Sequence, residues 1–277
     1  MADIPAHLPV RNAATRGALR SQRDSCATDC PLPRFSRLTP QRANSHHDHI
    51  AAVLGIELLQ GLYPPGSLLP AEALLMKRFQ VSRTVLREVM KTLAAKGFVA
   101  ARTHVGTRVR AAACWNYFDA DVLAWRLQLG LDDAFMQTLT EVRRALEPVA
   151  AALAARRRRP EDIASLRECL RQIGRRDHTR QSFTAADLDF HLAIGSTSGN
   201  PLIRSIASVI ETALTASFAY SSPVDDPLDH QKVADGHAAV VDAIEAGDEL
   251  RAAADILHVI DSGAARITTT RGKRTAT

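Results

Sequence analysis

A disulfide framework is beyond this chain, which has four cysteines in 277 residues: Cys26, Cys30, Cys114 and Cys169. Small stapled domains need a far higher density. Cys26 and Cys30 sit in a Pro/Arg/Ser-rich stretch, where free thiols are expected over a metal or redox pair. Uncharged apolar runs of the ~18–20 residues a membrane helix needs are missing. The N-terminus also lacks the apolar core of a signal peptide. An integral membrane protein is therefore excluded, and the cytoplasm is the expected compartment. Gly130, Gly174 and Gly199 build no phosphate-cradling loop, and no Ser/His/Asp arrangement is suggested by position.

The composition is that of a folded chain: 46% hydrophobic, 5% aromatic and 23% charged. At a loose ~150 residues per domain the length suggests about two domains. The net charge of +5 is unevenly spread. Residues 1–45 hold seven basic and three acidic side chains, residues 46–110 nine and four, and the remainder 19 and 23. A compact basic module joined to a larger, mildly acidic one points to a polyanion met by the first part alone.

Residues 1–45 show no sustained apolar period and read as a disordered basic extension, or as sequence upstream of the true start. From His46, Ile50, Val53, Leu54, Ile56, Leu58 and Leu62 recur near helical spacing, as far as Gly61 and Pro64-Pro65-Gly66. A short second helix follows Pro70, with Leu74, Leu75 and Phe79 as its expected buried side. Ser82 is placed to cap a third helix that runs to Lys96 and stops at Gly97. Two β-prone runs, 98–102 and 107–110, then form a ribbon. Beyond Arg110 the pattern is helical throughout, with helices expected near 119–130, 132–158, 161–177, 180–198, 201–220, 229–246 and 248–270. The fold class is mainly α: an N-terminal winged helix-turn-helix over 46–110, a linker over 111–118, an all-α helical bundle over 119–271 and a tail over 272–277.

In the third helix Leu86, Val89, Met90 and Leu93 share one face. Arg83, Arg87 and Lys91, four residues apart, form a stripe on another, beside Thr84. Such a stripe is ordinarily a solvated surface. Here the preceding short helix, the Val81-Ser82 turn and the ribbon make it the helix that enters a DNA major groove. Arginine suits bidentate contact with guanine edges.

Pro65-Gly66-Ser67, Leu69-Pro70-Ala71-Glu72, Val81-Ser82-Arg83-Thr84, Leu86-Arg87-Glu88 and Gly106 occur in order at spacings that resemble the DNA-binding domain of the GntR family of bacterial regulators. The resemblance implies a double-stranded DNA operator as partner. It implies DNA contacts from Ser67, Ser82, Arg83, Thr84, Arg87 and Lys91, and from the wing residues Arg102, His104, Gly106 and Thr107. Members often carry Arg after Pro-Ala-Glu; here that position is Ala73.

Asp187 and His191 lie one helical turn apart, with His237 and His258 on the last two helices. One carboxylate and several imidazoles suit Zn²⁺ or a similar divalent ion, while each His alone is more often an exposed or satisfied residue. Glu141-Val142-Arg143, Leu146-Glu147, Asp187-Leu188-Asp189-Phe190-His191, Ser198-Gly199-Asn200-Pro201 and His237 together resemble the FCD effector domain of the FadR subgroup. This implies a divalent metal on Asp187, His191, His237 and His258, and a small carboxylate effector held by Arg143 and Asn200. The usual spacing puts the last His where Val259 stands, one residue past His258. An ion pair with Glu147 is the plain alternative for Arg143. Trp115-Asn116-Tyr117-Phe118-Asp119 and Asp121-Val122-Leu123-Ala124-Trp125 resemble the galactonate-repressor branch, which implies a sugar-acid effector; packing of the linker is the alternative use of the two tryptophans.

Arg156 to Arg159 end a helix just before Pro160-Glu161-Asp162 opens another, so helix-dipole complementarity is expected of them over DNA contact. The expected function is a DNA-binding, homodimeric transcriptional regulator, a repressor of sugar-acid catabolism and not an enzyme. Its rival is a metal-dependent hydrolase acting through the bundle on a small carboxylate or lactone.

Overall fold

The computed structural model describes residues 45–102, 105–130 and 132–275, so the readings for residues 1–44 and for His104 lie outside the described residues. Helix α1 (His46–Leu59) starts at a capping box, Ser45 with Asp48. α2 (Glu72–Phe79) and α3 (Arg83–Ala95) are joined by Gln80, which takes a left-handed backbone at φ 54°, and by Ser82, whose Oγ accepts from Val85 N. Strands β1 (Val99–Arg102) and β2 (Gly106–Val109) pair antiparallel, Val99 opposite Val109 and Arg102 opposite Gly106. Leu68 adds a bridge to Arg108.

Ile50, Leu54, Leu58, Leu86, Val89, Leu93 and Phe98 make the core of this module. Leu74, expected on the buried side of α2, is 61% exposed; Leu75 fills that role and Phe79 is half-buried. The eight-residue helix turns only a narrow face inward, and one position of displacement rotates a side chain by about 100°. Leu62, past the end of α1, is exposed as well.

A 3-10 turn at Ala112–Cys114 leads to α4 (Ala120–Gln128), capped by Asp119. Then follow α5 (Asp133–Arg157), α6 (Pro160–Ile173), α7 (Arg180–Thr197), α8 (Pro201–Ser221), α9 (Pro227–Ala246) and α10 (Glu249–Thr275). Most begin at a side-chain cap of the kind the sequence advertises: Asp132, Thr179, Asn200 and Asp226. α6 stops at Ile173, four residues before the expected end, because Gly174 closes it and Arg175–His178 carry no apolar residue to bury. α10 continues to Thr275, into the stretch expected as a tail.

The bundle core is alanine-lined along α5 (Ala150, Ala151, Ala154, Ala155), which lets α9 and α10 approach closely with Val240, Ile244, Ile256 and Ile260. α4 has two differently employed faces. Val122 and Trp125 belong to the winged-helix core, whereas Leu123 packs with Leu139, Leu188, Leu214 and Phe218 of the bundle. The Trp125 ring lies so close to Gly55 of α1 that a Cβ there would meet it at 2.3 Å. Glycine is required at that position by contact alone.

Candidate functional site

On α3 the apolar residues face inward and the basic ones outward. Arg83 is 71% exposed at its side chain and 3.9 Å from Glu72; Thr84 and Arg87 are exposed; Lys91 pairs with Glu88 at 2.8 Å in solvent. Arg102 and Gly106 stand exposed at the tip end of the ribbon, and Thr107 is half-buried. Two expected contacts are otherwise engaged. Ser82 Oγ is the cap of α3. The Ser67 hydroxyl is buried without a hydrogen-bond partner, while its backbone bonds Pro64 and Val109, so the residue shapes the loop beside the wing instead of offering a hydroxyl to phosphate.

The arginine run is consumed internally. Arg156 pairs with Glu249, and Arg157 donates to the Ser198 carbonyl that ends α7. Arg158 donates to Ala155 and Glu245 carbonyls, and Arg159 pairs with Asp162. These are helix-end and ion-pair roles.

Inside the bundle the structure gathers Asp187, His191 and His237, all buried, with candidate donor atoms within 4.8 Å of one another. His237 Nε2 lies 2.9 Å and His191 Nε2 3.6 Å from Asp187 Oδ1. Of their other nitrogens, His237 Nδ1 donates to the Val233 carbonyl at 2.7 Å, and His191 Nδ1 lies 2.7 Å from Glu147 Oε2 in an ion-pair contact without hydrogen-bond alignment. Holding both Nδ1 atoms this way aims both Nε2 atoms at one point beside a carboxylate, which is how outer partners prepare histidines for a metal. The donor set fits a divalent ion such as Zn²⁺. His258 is not part of it. It is exposed on α10, and Val259, 9% exposed, packs against Gly236 instead. The one-residue offset turns the imidazole away from the site.

Arg143 makes the ion pair considered for it and also reaches the histidine cluster. Nε bonds Glu147 at 2.6 Å, Nη2 lies 3.3 Å from His191 Nε2, and the guanidinium rests over the Phe218 ring at 4.6 Å. Asn200 caps α8, its Oδ1 accepting from the Leu202 and Ile203 backbone N–H groups. Two site residues have no expected role toward the metal. Glu147 stands in the Leu146-Glu147 motif, but only an ion pair with Arg143 is expected of it. Arg266, from the middle of α10, donates to the Ser221 carbonyl and lies close enough to Asp187 for its charge to be felt there.

Burial disfavours the charged form of Asp187, but hydrogen bonds from His191 and His237 win and hold its carboxyl far below the usual range. Glu147, buried likewise, is brought down to about 2 by Arg143 and His191. Burial lowers the proton affinity of His191, yet Glu147 and Asp187 outweigh it and the shift is upward. Beside Arg143, Glu147 and His191 lies a cavity of only about 30 Å³, walled by Val142, Leu192, Ile203 and Leu214.

Residues 46–109 match the family described as bacterial regulatory proteins, gntR family, and residues 138–262 match the FCD domain. The galactonate operon transcriptional repressor of Escherichia coli K12 is 33% identical over 79% of this chain and 96% of its own. The chain belongs to the GntR family. The transcriptional regulator LutR of Bacillus subtilis 168 is 26% identical over 71% of the chain and 90% of its own length. The fold is shared with the solved structure of Lar, which controls the Listeria monocytogenes agr system, at TM-score 0.53 and 19% identity, over 80% of this chain and 96% of that one. As a GntR regulator with an FCD domain, the protein is a DNA-binding transcriptional regulator and not an enzyme; the hydrolase reading finds no support in its relatives. Among the described residues no helix is long and apolar enough to cross a membrane.

Proposed function

We propose that this GntR regulator represses a sugar-acid catabolic operon in the cytoplasm as a homodimer, and that a hexonate such as D-galactonate releases it. The exposed stripe Arg83, Arg87 and Lys91, with Thr84, reads the major groove, and Arg102, His104, Gly106 and Thr107 approach the adjacent minor groove. Two copies on a two-fold operator double the contacts that one short half-site affords. The similarity to the galactonate operon repressor of Escherichia coli supports the effector class.

The observation that carries the effector reading is the charge set of the buried site. Asp187 and Glu147 face Arg143 and Arg266, so the fixed charges nearly cancel. A divalent ion on Asp187, His191 and His237, for which Zn²⁺ is the proposed metal, adds two positive charges and leaves positions a carboxylate can take. When bound, the metal supplies Lewis-acid attraction for that carboxylate. Arg143 supplies a guanidinium fork within the same space. The cavity of about 30 Å³ holds a water or two, so a six-carbon acid must part α5, α7 and α8 to enter. Leu214 and Phe218 of α8 press on Leu123 of α4, whose other face is built into the reading head. An effector that favours the parted state therefore shifts the head, and the shift is bounded by its differential affinity for the two states.

The test is calorimetry of the full chain with D-galactonate after Zn²⁺ loading and after chelation. Heat of binding that depends on the metal supports the reading; no heat in either state removes this effector, and heat that survives chelation removes the metal from its recognition.

A further inference from the structure

The residue that closes the recognition helix is tied to the start of α4 by a buried ammonium. Lys96, the C-cap of α3, is only 7% exposed. Its Nζ bonds Asp119 Oδ1 at 2.6 Å and Asp121 Oδ2 at 2.8 Å, and sits 5.5 Å from the Trp125 ring. Its carbonyl accepts from Asn116 N at 3.0 Å. The next residue, Gly97, has φ 85° and so close an approach to the Cys114 carbonyl that a Cβ would lie 2.1 Å away. Asp119 is itself the cap of α4, so one carboxylate starts α4 and holds the end of α3. Asp121 is 68% exposed at its side chain, and its bond to Lys96 serves nothing inside either core.

These contacts have one geometric consequence. α3 and α4 meet end to start through Lys96, while α4 is set into the head by Val122 and Trp125 and onto the bundle by Leu123. Burying a lysine is unfavourable unless it is paired, and here the pairing partners both belong to the element that carries the head. We propose that Lys96 is a positioning residue for operator binding: its clasp on Asp119 and Asp121 fixes the angle of the reading helix relative to the bundle, and so sets the half-site geometry that two copies can grip together. This rests on the homodimer reading above.

A residue that only stabilises the head affects every DNA equally, whereas one that sets its angle matters when two heads must land in register. The experiment uses the full chain and a duplex selected by it from a random pool, together with the same duplex with one half scrambled. Fluorescence anisotropy gives both affinities for wild type, Lys96→Met and Lys96→Arg. The expected result for Lys96→Met is a loss of tenfold or more on the selected duplex and less than twofold on the half-scrambled one, with Lys96→Arg in between on the former. Equal losses on both duplexes, or none on either, overturn the proposal. If Lys96→Met does not fold, Asp121→Asn, which removes one exposed arm of the clasp, must show a severalfold loss confined to the selected duplex; an unchanged ratio overturns the proposal. A selected duplex without two-fold symmetry overturns the homodimer reading first, and this proposal with it.

Discussion

Glu147 shows how little of a buried site one residue type reveals. In the sequence it belongs to the Leu146-Glu147 motif, with only an ion pair to Arg143 expected of it; in the structure its Oε2 lies 2.7 Å from His191 Nδ1, which leaves Nε2 to face Asp187. Glu147→Gln should therefore weaken Zn²⁺ binding about 10–100-fold, the usual cost of losing such an outer partner, as read by competition with a chromophoric chelator. The same carboxyl ties stability to pH. Its folded value, about 2, is below that of the unfolded chain, so its contribution is present above about pH 4.5 and is lost as pH falls towards 2. In metal-free protein this group's share of the loss between pH 6 and pH 3 should be about 2 kcal/mol, measured by urea unfolding at those two pH values, and Glu147→Gln should reduce the difference by that amount. His258 failed as a ligand for a legible reason: the motif spacing already put Val259 in its place, and on a helix one residue decides the direction. Arg266 was not legible, because a lone arginine in a long helix has no local pattern.

At the scale of elements, the helix starts were the most readable part, since Ser45, Ser82, Asp119, Asp132, Thr179, Asn200 and Asp226 are all cap types and all cap. Asn200 is instructive, because the residue its motif marks for the effector is also the cap that starts α8. Ends were harder: α6 stops at Gly174 and α10 overruns its expected end, since exposed, charged turns carry no apolar period. Ser82→Ala should cost about 1 kcal/mol by loss of the cap on the recognition helix, visible as a lower midpoint in thermal unfolding. Gly55→Ala should destabilise by about 1–3 kcal/mol, because the added Cβ collides with the Trp125 ring. That packing of α1 against α4 joins residues seventy apart and could not be read from either segment.

For the molecule as a whole, the division into a basic winged-helix module and a helical bundle followed from charge and periodicity, and within the arginine run Arg157 and Arg158 cap helix ends while Arg156 and Arg159 form surface ion pairs. What the sequence did not disclose is how the two parts are joined: the double use of α4 and the Lys96 clasp arise only when distant segments meet. Operator recognition by this protein requires α3 to read base edges from its exposed arginine stripe. The direct measurement is the ratio of affinities for the selected duplex and a fully scrambled one, by anisotropy, for wild type and Arg87→Ala. A bidentate base contact is worth about 1–3 kcal/mol of discrimination, and a two-fold operator carries one in each half, so the ratio should fall by at least about 5–150-fold; a ratio that stays at the wild-type value would contradict the assignment of α3 as the reading helix.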